Sequence, residues 1–202
     1  MKAEEILYEY GDQLYVNLTN RCPCRCDFCI RGKTDGLGTA DSLWLDHDPS
    51  AQEVIAALKG RELARYQEVV FCGYGEPFCA LEVLLKVCRW LREHTQLRTR
   101  INTNGLGDLI QGSHTPPLLE GLVDAVSISL NTSDPDYYLR LCHPSFGEKA
   151  YGAMLQFAQD CKKYVPEVKF SVVDVIPKED IEGCRQLSQK LGVPLRVRHY
   201  VS

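Results

Sequence analysis

At 202 residues, 45% hydrophobic and 25% charged, the chain has the size and balance of one globular domain, residues 1–202, and no uncharged apolar run approaches the roughly 18 residues of a membrane span. A formal net charge of −4 argues against a surface built for tight, non-specific binding of nucleic acid or anionic membrane. The acidic start Met1-Lys2-Ala3-Glu4-Glu5 lacks an apolar signal core, so a cytoplasmic protein is expected and its ten cysteines point to metal binding rather than disulfides.

In chain order, the β-rich runs Ile6–Tyr10 and Leu14–Leu18 flank the turn Gly11-Asp12 and predict a short hairpin. A cysteine-dense segment follows at once. Residues 33–49 carry glycines and aspartates without a period and read as a loop. A helix starts at Pro49-Ser50, with Val54, Ile55 and Leu58 on one face. Strand and helix then alternate: strand Glu68–Cys72, helix Leu81–Glu93, strand Thr99–Thr103, a Gly/Pro-rich connection with a short helix near Leu118–Gly121, and strand Val123–Leu130. Helices near Tyr137–Leu141 and Lys149–Tyr164, strand Val168–Ile176, helix Asp180–Leu191 and strand Leu195–Val201 complete the pattern. Strands joined through helices imply right-handed βαβ units and a parallel sheet. Six parallel strands (13–19, 68–72, 99–103, 123–130, 168–176, 195–201) are too few for a closed eight-stranded barrel, which takes about 250 residues. The fold expected is therefore α/β, a partial (β/α)6 barrel with a short N-terminal hairpin strand; a flat doubly wound sheet is the alternative.

The chemistry concentrates in Cys22-Pro-Cys-Arg-Cys26-Asp-Phe-Cys29. Cys22, Cys26 and Cys29 form C-x3-C-x2-C, with Cys24 as an extra thiol. Three thiolates on a four-iron cubane leave one iron open, which suits a site where a substrate must coordinate. The segment follows a strand, so it lies at the catalytic face of a parallel barrel. A zinc site would want a second Cys-x2-Cys, which the chain lacks. Cys24 as a fourth ligand would be strained between its neighbours, and a redox thiol cluster is the remaining alternative.

Polar groups gather at the following strand ends. Phe71-Cys-Gly-Tyr74-Gly75-Glu76-Pro77 closes the second parallel strand. There Gly75 permits close backbone approach, and Glu76 supplies a carboxylate able to pair with an ammonium group. Asn102-Thr-Asn104-Gly105 closes the third, and Ser127-Ile-Ser129-Leu-Asn131 the fourth. Ser127 and Ser129 share a face; they suit a ribose, or are strand-end turn residues. Asp174, a carboxylate amid β-branched apolars, points either into the barrel or outward to a helix lysine. Arg196, Arg198 and His199 form a basic patch that either meets an anionic substrate or guards a sheet edge. The five histidines show no ligand spacing, and the six cysteines outside the motif read mainly as core residues.

Cys-x3-Cys-x-Phe-Cys resembles the signature of the radical S-adenosylmethionine (SAM) superfamily, with Phe28 as its aromatic. The resemblance implies a [4Fe–4S] cluster on Cys22, Cys26 and Cys29 and SAM as co-substrate. It also implies reductive cleavage to a 5′-deoxyadenosyl radical. Phe28 would lie against the adenine. Gly73–Glu76 resembles the superfamily's Gly-Gly-Glu motif, with Tyr74 in place of a glycine, so Tyr74, Gly75 and Glu76 would take the SAM amino group. Ser129 and Asn131 stand where the family binds ribose or carboxylate, with Asn104 as a further partner, and Val175 and Ile176 would wall the adenine. An external one-electron donor of flavodoxin or ferredoxin type is implied, since the chain shows no second cluster or flavin motif. The open side of such a barrel admits macromolecular substrates. Asn17–Cys24 resembles more narrowly the short radical SAM proteins associated with TatD-family nucleases, implying a link to such a nuclease. A zinc-thiolate interaction module is the alternative; a Rossmann-like methyltransferase would want glycines where the cysteines stand.

Overall fold

The computed structural model describes residues 6–34 and 36–200. Seven strands form one sheet in sequence order: β1 (Leu7–Tyr10), β2 (Gln13–Val16), β3 (Glu68–Phe71), β4 (Arg98–Thr103), β5 (Ala125–Ser129), β6 (Glu167–Val173) and β7 (Leu195–Arg198). β1 pairs antiparallel to β2 and every later pairing is parallel. Among the described residues β1 and β7 do not pair. The sheet is a partial barrel, open between its edge strands, as the alternation predicts.

The register separates two faces. Val16, Phe71, Ile101, Val126 and Val168 lie in one row across five strands. These side chains share a hydrophobic core with Leu58 and Val54 of helix α1 (Ala51–Lys59), Leu84 and Leu91 of α2 (Leu81–His94) and Met154 and Phe157 of α5 (Lys149–Cys161). The other helices are α3 (Gly107–Gln111), α4 (Pro135–Cys142) and α6 (Lys178–Leu191). The alternate residues, Tyr15, Val70, Arg100 and Ala125 in the neighbouring row, face the concave side. One face apolar and the other polar is what a helix-covered half-barrel requires.

Local chemistry sets the helix starts. Ser50 caps α1 in a capping box: its Oγ accepts from the Glu53 N–H at 3.2 Å while Glu53 accepts from the Ser50 N–H at 2.8 Å. Asp134 caps α4, with Pro135 at its first position.

Several expected boundaries move. β5 is Ala125–Ser129 rather than 123–130, β6 ends at Val173 rather than Ile176, and β2 stops at Val16 rather than 19. β7 ends at Arg198; Val201, expected within it, lies outside the described residues. The short helix expected near 118–121 is instead a 3-10 turn, Pro116–Leu119, and α3 occupies the connection before it.

Candidate functional site

The cysteine segment leaves the end of β2 and is pinned on three sides. On the β3 side, the Glu76 N–H donates to the Arg21 carbonyl at 2.8 Å. On the other side lies the end of α4, whose last carbonyls have no partner within the helix. The Arg25 N–H donates to the Cys142 carbonyl and the Asp27 N–H to the Leu141 carbonyl, both at 3.0 Å. Ser145 N–H donates back to the Pro23 carbonyl at 2.8 Å, and His143 pairs with Asp27 at 2.9 Å. The loop 36–49 closes the third side: Asn20 exchanges two hydrogen bonds with the backbone of Leu45, at 2.7 and 3.1 Å, and Asn17 Nδ2 donates to the Leu43 carbonyl at 2.7 Å.

Within this frame four thiols lie together. Cys24, the most buried of the motif cysteines, bonds the side chains of both Cys22 and Cys26, and Cys142 bonds Cys26. The Cys142 thiol, then Cys24, holds Cys26 down to about 4, and Cys24 holds Cys22 below the usual thiol range. The same bonds push Cys24 and Cys142 up. At Cys22 and Cys26 the downward direction favours the thiolate, the ligand form; Cys26 Sγ also lies 3.9 Å from the Cys142 carbonyl oxygen. Burial raises Cys29. Asn104 Nδ2 stands 4.0 Å from the Cys22 sulfur and 3.8 Å from that of Cys24. Among the described residues no three His, Cys, Asp or Glu side chains converge as a single-ion site. The donors of the motif are all sulfur, the ligand type that an iron–sulfur cluster takes.

Glu76 is buried at the head of β3. Its Oε1 accepts from Thr103 Oγ1 at 2.7 Å and the Phe78 N–H at 3.2 Å, and its Oε2 accepts from the Asn104 N–H at 2.7 Å. Burial lifts its carboxyl to about 7 against those bonds. Gly75 makes room for the cysteine loop itself: a Cβ there would stand 2.1 Å from the Thr19 carbonyl oxygen and 2.8 Å from that of Arg21. The Tyr74 side chain turns away from the site, its hydroxyl donating to the Thr34 carbonyl and its ring 5.0 Å from Trp44; only its backbone remains for a ligand.

Asn131 ends the β5 segment at φ 66°. Its Nδ2 donates to Cys142 Sγ at 3.2 Å, and its buried Oδ1 has no partner among the described residues. An orphaned acceptor beside the thiols is a cost that a ligand donor would remove. Ser129 lies beside Ser171 in register. Phe28 packs half-buried against the main core. Val175 is exposed and Ile176 buried, in the turn after β6. Asp174 takes neither expected direction: it accepts from the Tyr200 N–H at 2.8 Å and pairs with His199 at 2.7 Å. Cys142, read from sequence as a core residue, belongs to the thiol group.

The model of the radical SAM superfamily matches residues 16–191. The chain belongs to the radical SAM superfamily. Membership indicates an enzyme and implies a [4Fe–4S] cluster and SAM. Solved structures agree in fold. A radical SAM methyltransferase from Sphaerobacter thermophilus is 19% identical, with TM-score 0.67 over 96% of this chain and 68% of that one. SuiB from Streptococcus suis, bound to its precursor peptide SuiA, is 18% identical with TM-score 0.71 over 98% of this chain and 41% of that one. SuiB bound to S-adenosylmethionine gives 18% and 0.70, over 96% and 41%. This radical SAM chain thus spans about two fifths of SuiB's length. No curated protein matches it. Among the described residues no helix is long and apolar enough to cross a membrane.

Proposed function

We propose that residues 1–202 form one catalytic unit, a radical SAM core that holds a [4Fe–4S] cluster on Cys22, Cys26 and Cys29 and binds SAM along the ends of β3 to β6. When bound, the cluster and SAM supply one-electron reductive cleavage of the sulfonium, yielding methionine and a 5′-deoxyadenosyl radical. The observation that carries the reading is the gathering of the motif cysteines with Cys142 where the loop after β2 docks on the end of α4, with the Asn104 and Asn131 side chains beside them. The chain's own contribution is orientation and charge. Glu76 and the backbone of Tyr74 and Gly75 take the ammonium group of SAM, Asn131 Oδ1 accepts a hydrogen bond, and Ser129 and Asn104 contact the ribose or carboxylate. Phe28, Val175 and Ile176 bound the adenine. Reduction requires an external donor of flavodoxin or ferredoxin type, in a cytoplasmic setting where thiols stay reduced. The proposal extends to a functional link with a TatD-family nuclease on the strength of the Asn17–Cys24 stretch alone.

The test is anaerobic reconstitution. Brown protein with about four irons per chain, and 5′-deoxyadenosine formed from SAM and dithionite, are expected. Colourless, zinc-loaded protein that forms none would overturn the reading.

A further inference from the structure

The concave face carries five cations: Arg98 and Arg100 on β4, Lys169 on β6, and Arg196 and Arg198 on β7. The register places them there, because Arg100 is in line with Val70 and Ala125, Lys169 with Ser127, Arg196 with Ser171 and Arg198 with Val173. Three are neutralised by neighbours on the same face. Arg98 and Lys169 each reach Glu167 at 2.8 Å, and Arg100 reaches Glu68 at 2.8 Å. Arg196 and Arg198 have no ion pair or side-chain hydrogen bond among the described residues, and the carboxylate of Asp174, whose N–H donates to the Arg198 carbonyl, is committed to His199 and the Tyr200 N–H.

These two guanidiniums are two residues apart on one strand, about 7 Å along it, and Arg198 faces Cys72, Tyr15 and Arg100 across the concavity. Both arginines are exposed along β7; the surrounding groups, with the Arg196 and Arg100 charges among them, pull the Arg198 guanidinium below its ordinary range. A guanidinium keeps its proton in a protein, so this marks positive potential that the chain leaves uncompensated. Like charges side by side with no counter-charge repel one another, a cost that a shared anion would remove.

We propose that Arg196 and Arg198 form the substrate subsite of the half-barrel and take a doubly charged oxyanion, a phosphate or a dicarboxylate, on the molecule that enters between β7 and β1. The planar forks of two arginines match such oxygens in pairs. The subsite rests on the radical SAM reading for its role but not for its existence, since its residues hold neither cluster nor SAM.

The experiment titrates cluster-loaded protein by calorimetry with inorganic phosphate and, separately, succinate, at low and high KCl. The proteins are wild type, Arg196→Gln/Arg198→Gln, Arg196→Lys/Arg198→Lys and the exposed control Arg185→Gln on α6. Wild type and R185Q are expected to bind at least one of the two anions, the tighter one naming the source, with affinity falling as KCl rises. The Gln pair loses about 10-fold or more, and the Lys pair, which keeps charge but loses the fork, falls between. If the Gln pair does not fold, the Lys pair and the KCl dependence decide. Wild type that binds neither anion, or either pair binding as wild type does, overturns the proposal. A Gln pair that self-associates while still binding the anion assigns the arginines to edge protection instead, and overturns it too. Wild type that binds the anion but forms no 5′-deoxyadenosine defeats the radical SAM reading and leaves the subsite standing.

Discussion

The N–H of Glu76 donates to the carbonyl of Arg21 across 2.8 Å, tying the head of β3 to the loop that carries the cysteines. The same glutamate reaches Thr103 and Asn104 at the head of β4 through its side chain. One residue therefore holds three strand ends in register around the site, and the residue before it decides whether the loop can come that close.

Gly75→Ala tests this. The added methyl would meet the Thr19 carbonyl oxygen at 2.1 Å and the Arg21 carbonyl at 2.8 Å, so backbone must move. A loss of about 3 kcal/mol is expected, with impaired iron retention because the displaced element carries Cys22. Thermal unfolding and iron content after anaerobic reconstitution read both. A fully iron-loaded G75A with unchanged Tm would show that the loop docks otherwise.

Single alanine substitutions separate ligands from neighbours. Cys22→Ala, Cys26→Ala and Cys29→Ala should each reduce bound iron to a small fraction of wild type. Cys24→Ala and Cys142→Ala should keep it, since those thiols donate hydrogen bonds to Cys26, and Cys24 also to Cys22. Losing a donor to sulfur leaves the remaining charge less stabilised, so both variants should also shift the cluster's reduction potential downward. Iron and sulfide assays with potentiometry decide. Loss of iron in Cys24→Ala would make it a ligand.

What was legible in the sequence is what depends on local pattern. Runs such as Val69-Val70-Phe71 and Val126–Ser129 declare parallel strands, and C-x3-C-x2-C with Phe28 points to the radical SAM superfamily, to which the chain belongs. Cys142 was not legible, because it reaches Cys26 through the docking of α4, and no spacing rule spans that distance. Val172-Val173 and Val175-Ile176 have strand propensity on either side of Asp174, yet β6 ends at Val173, where its last register partner, Arg198, ends too. Propensity marks a strand; partners terminate it. The Tyr74 side chain is a similar case: its motif position speaks for the site, while Trp44 and the Thr34 carbonyl draw the ring away. The five-residue helix α3, opened by Gly107 and closed by Gly112 at φ 64°, has too few residues to show a period.

Asn131 combines a backbone and a side-chain demand. At φ 66° an alanine is strained and a glycine is not. Asn131→Gly should lower stability by only a few tenths of a kcal/mol relative to the lost hydrogen bond alone, and Asn131→Ala by about 1 kcal/mol more. Both lose the Oδ1 acceptor, so both should weaken SAM binding by about 10-fold, read by equilibrium dialysis. Weakening in the alanine variant alone would assign Asn131 to backbone geometry.

Glu76 sets a pH dependence whose sign follows from its burial. Its carboxyl titrates near 7 in the folded chain, against the ordinary 4.5. Between those values the native state binds the proton and the unfolded state releases it, so this group's contribution is greatest below about pH 4.5 and is lost as pH rises through about 7. The span corresponds to roughly 3 kcal/mol at most. Glu76→Gln, which keeps an acceptor for the Thr103 hydroxyl or a backbone N–H, removes the titration. Its stability relative to wild type should therefore rise by up to that amount from pH 5 to pH 8, in urea unfolding at matched ionic strength. SAM binding should move oppositely in wild type: the ammonium group calls for the carboxylate, so affinity should increase from pH 6 to pH 8, and E76Q should show neither the increase nor the wild-type affinity at pH 8. A flat stability difference between the two proteins across that range would place the Glu76 titration outside it.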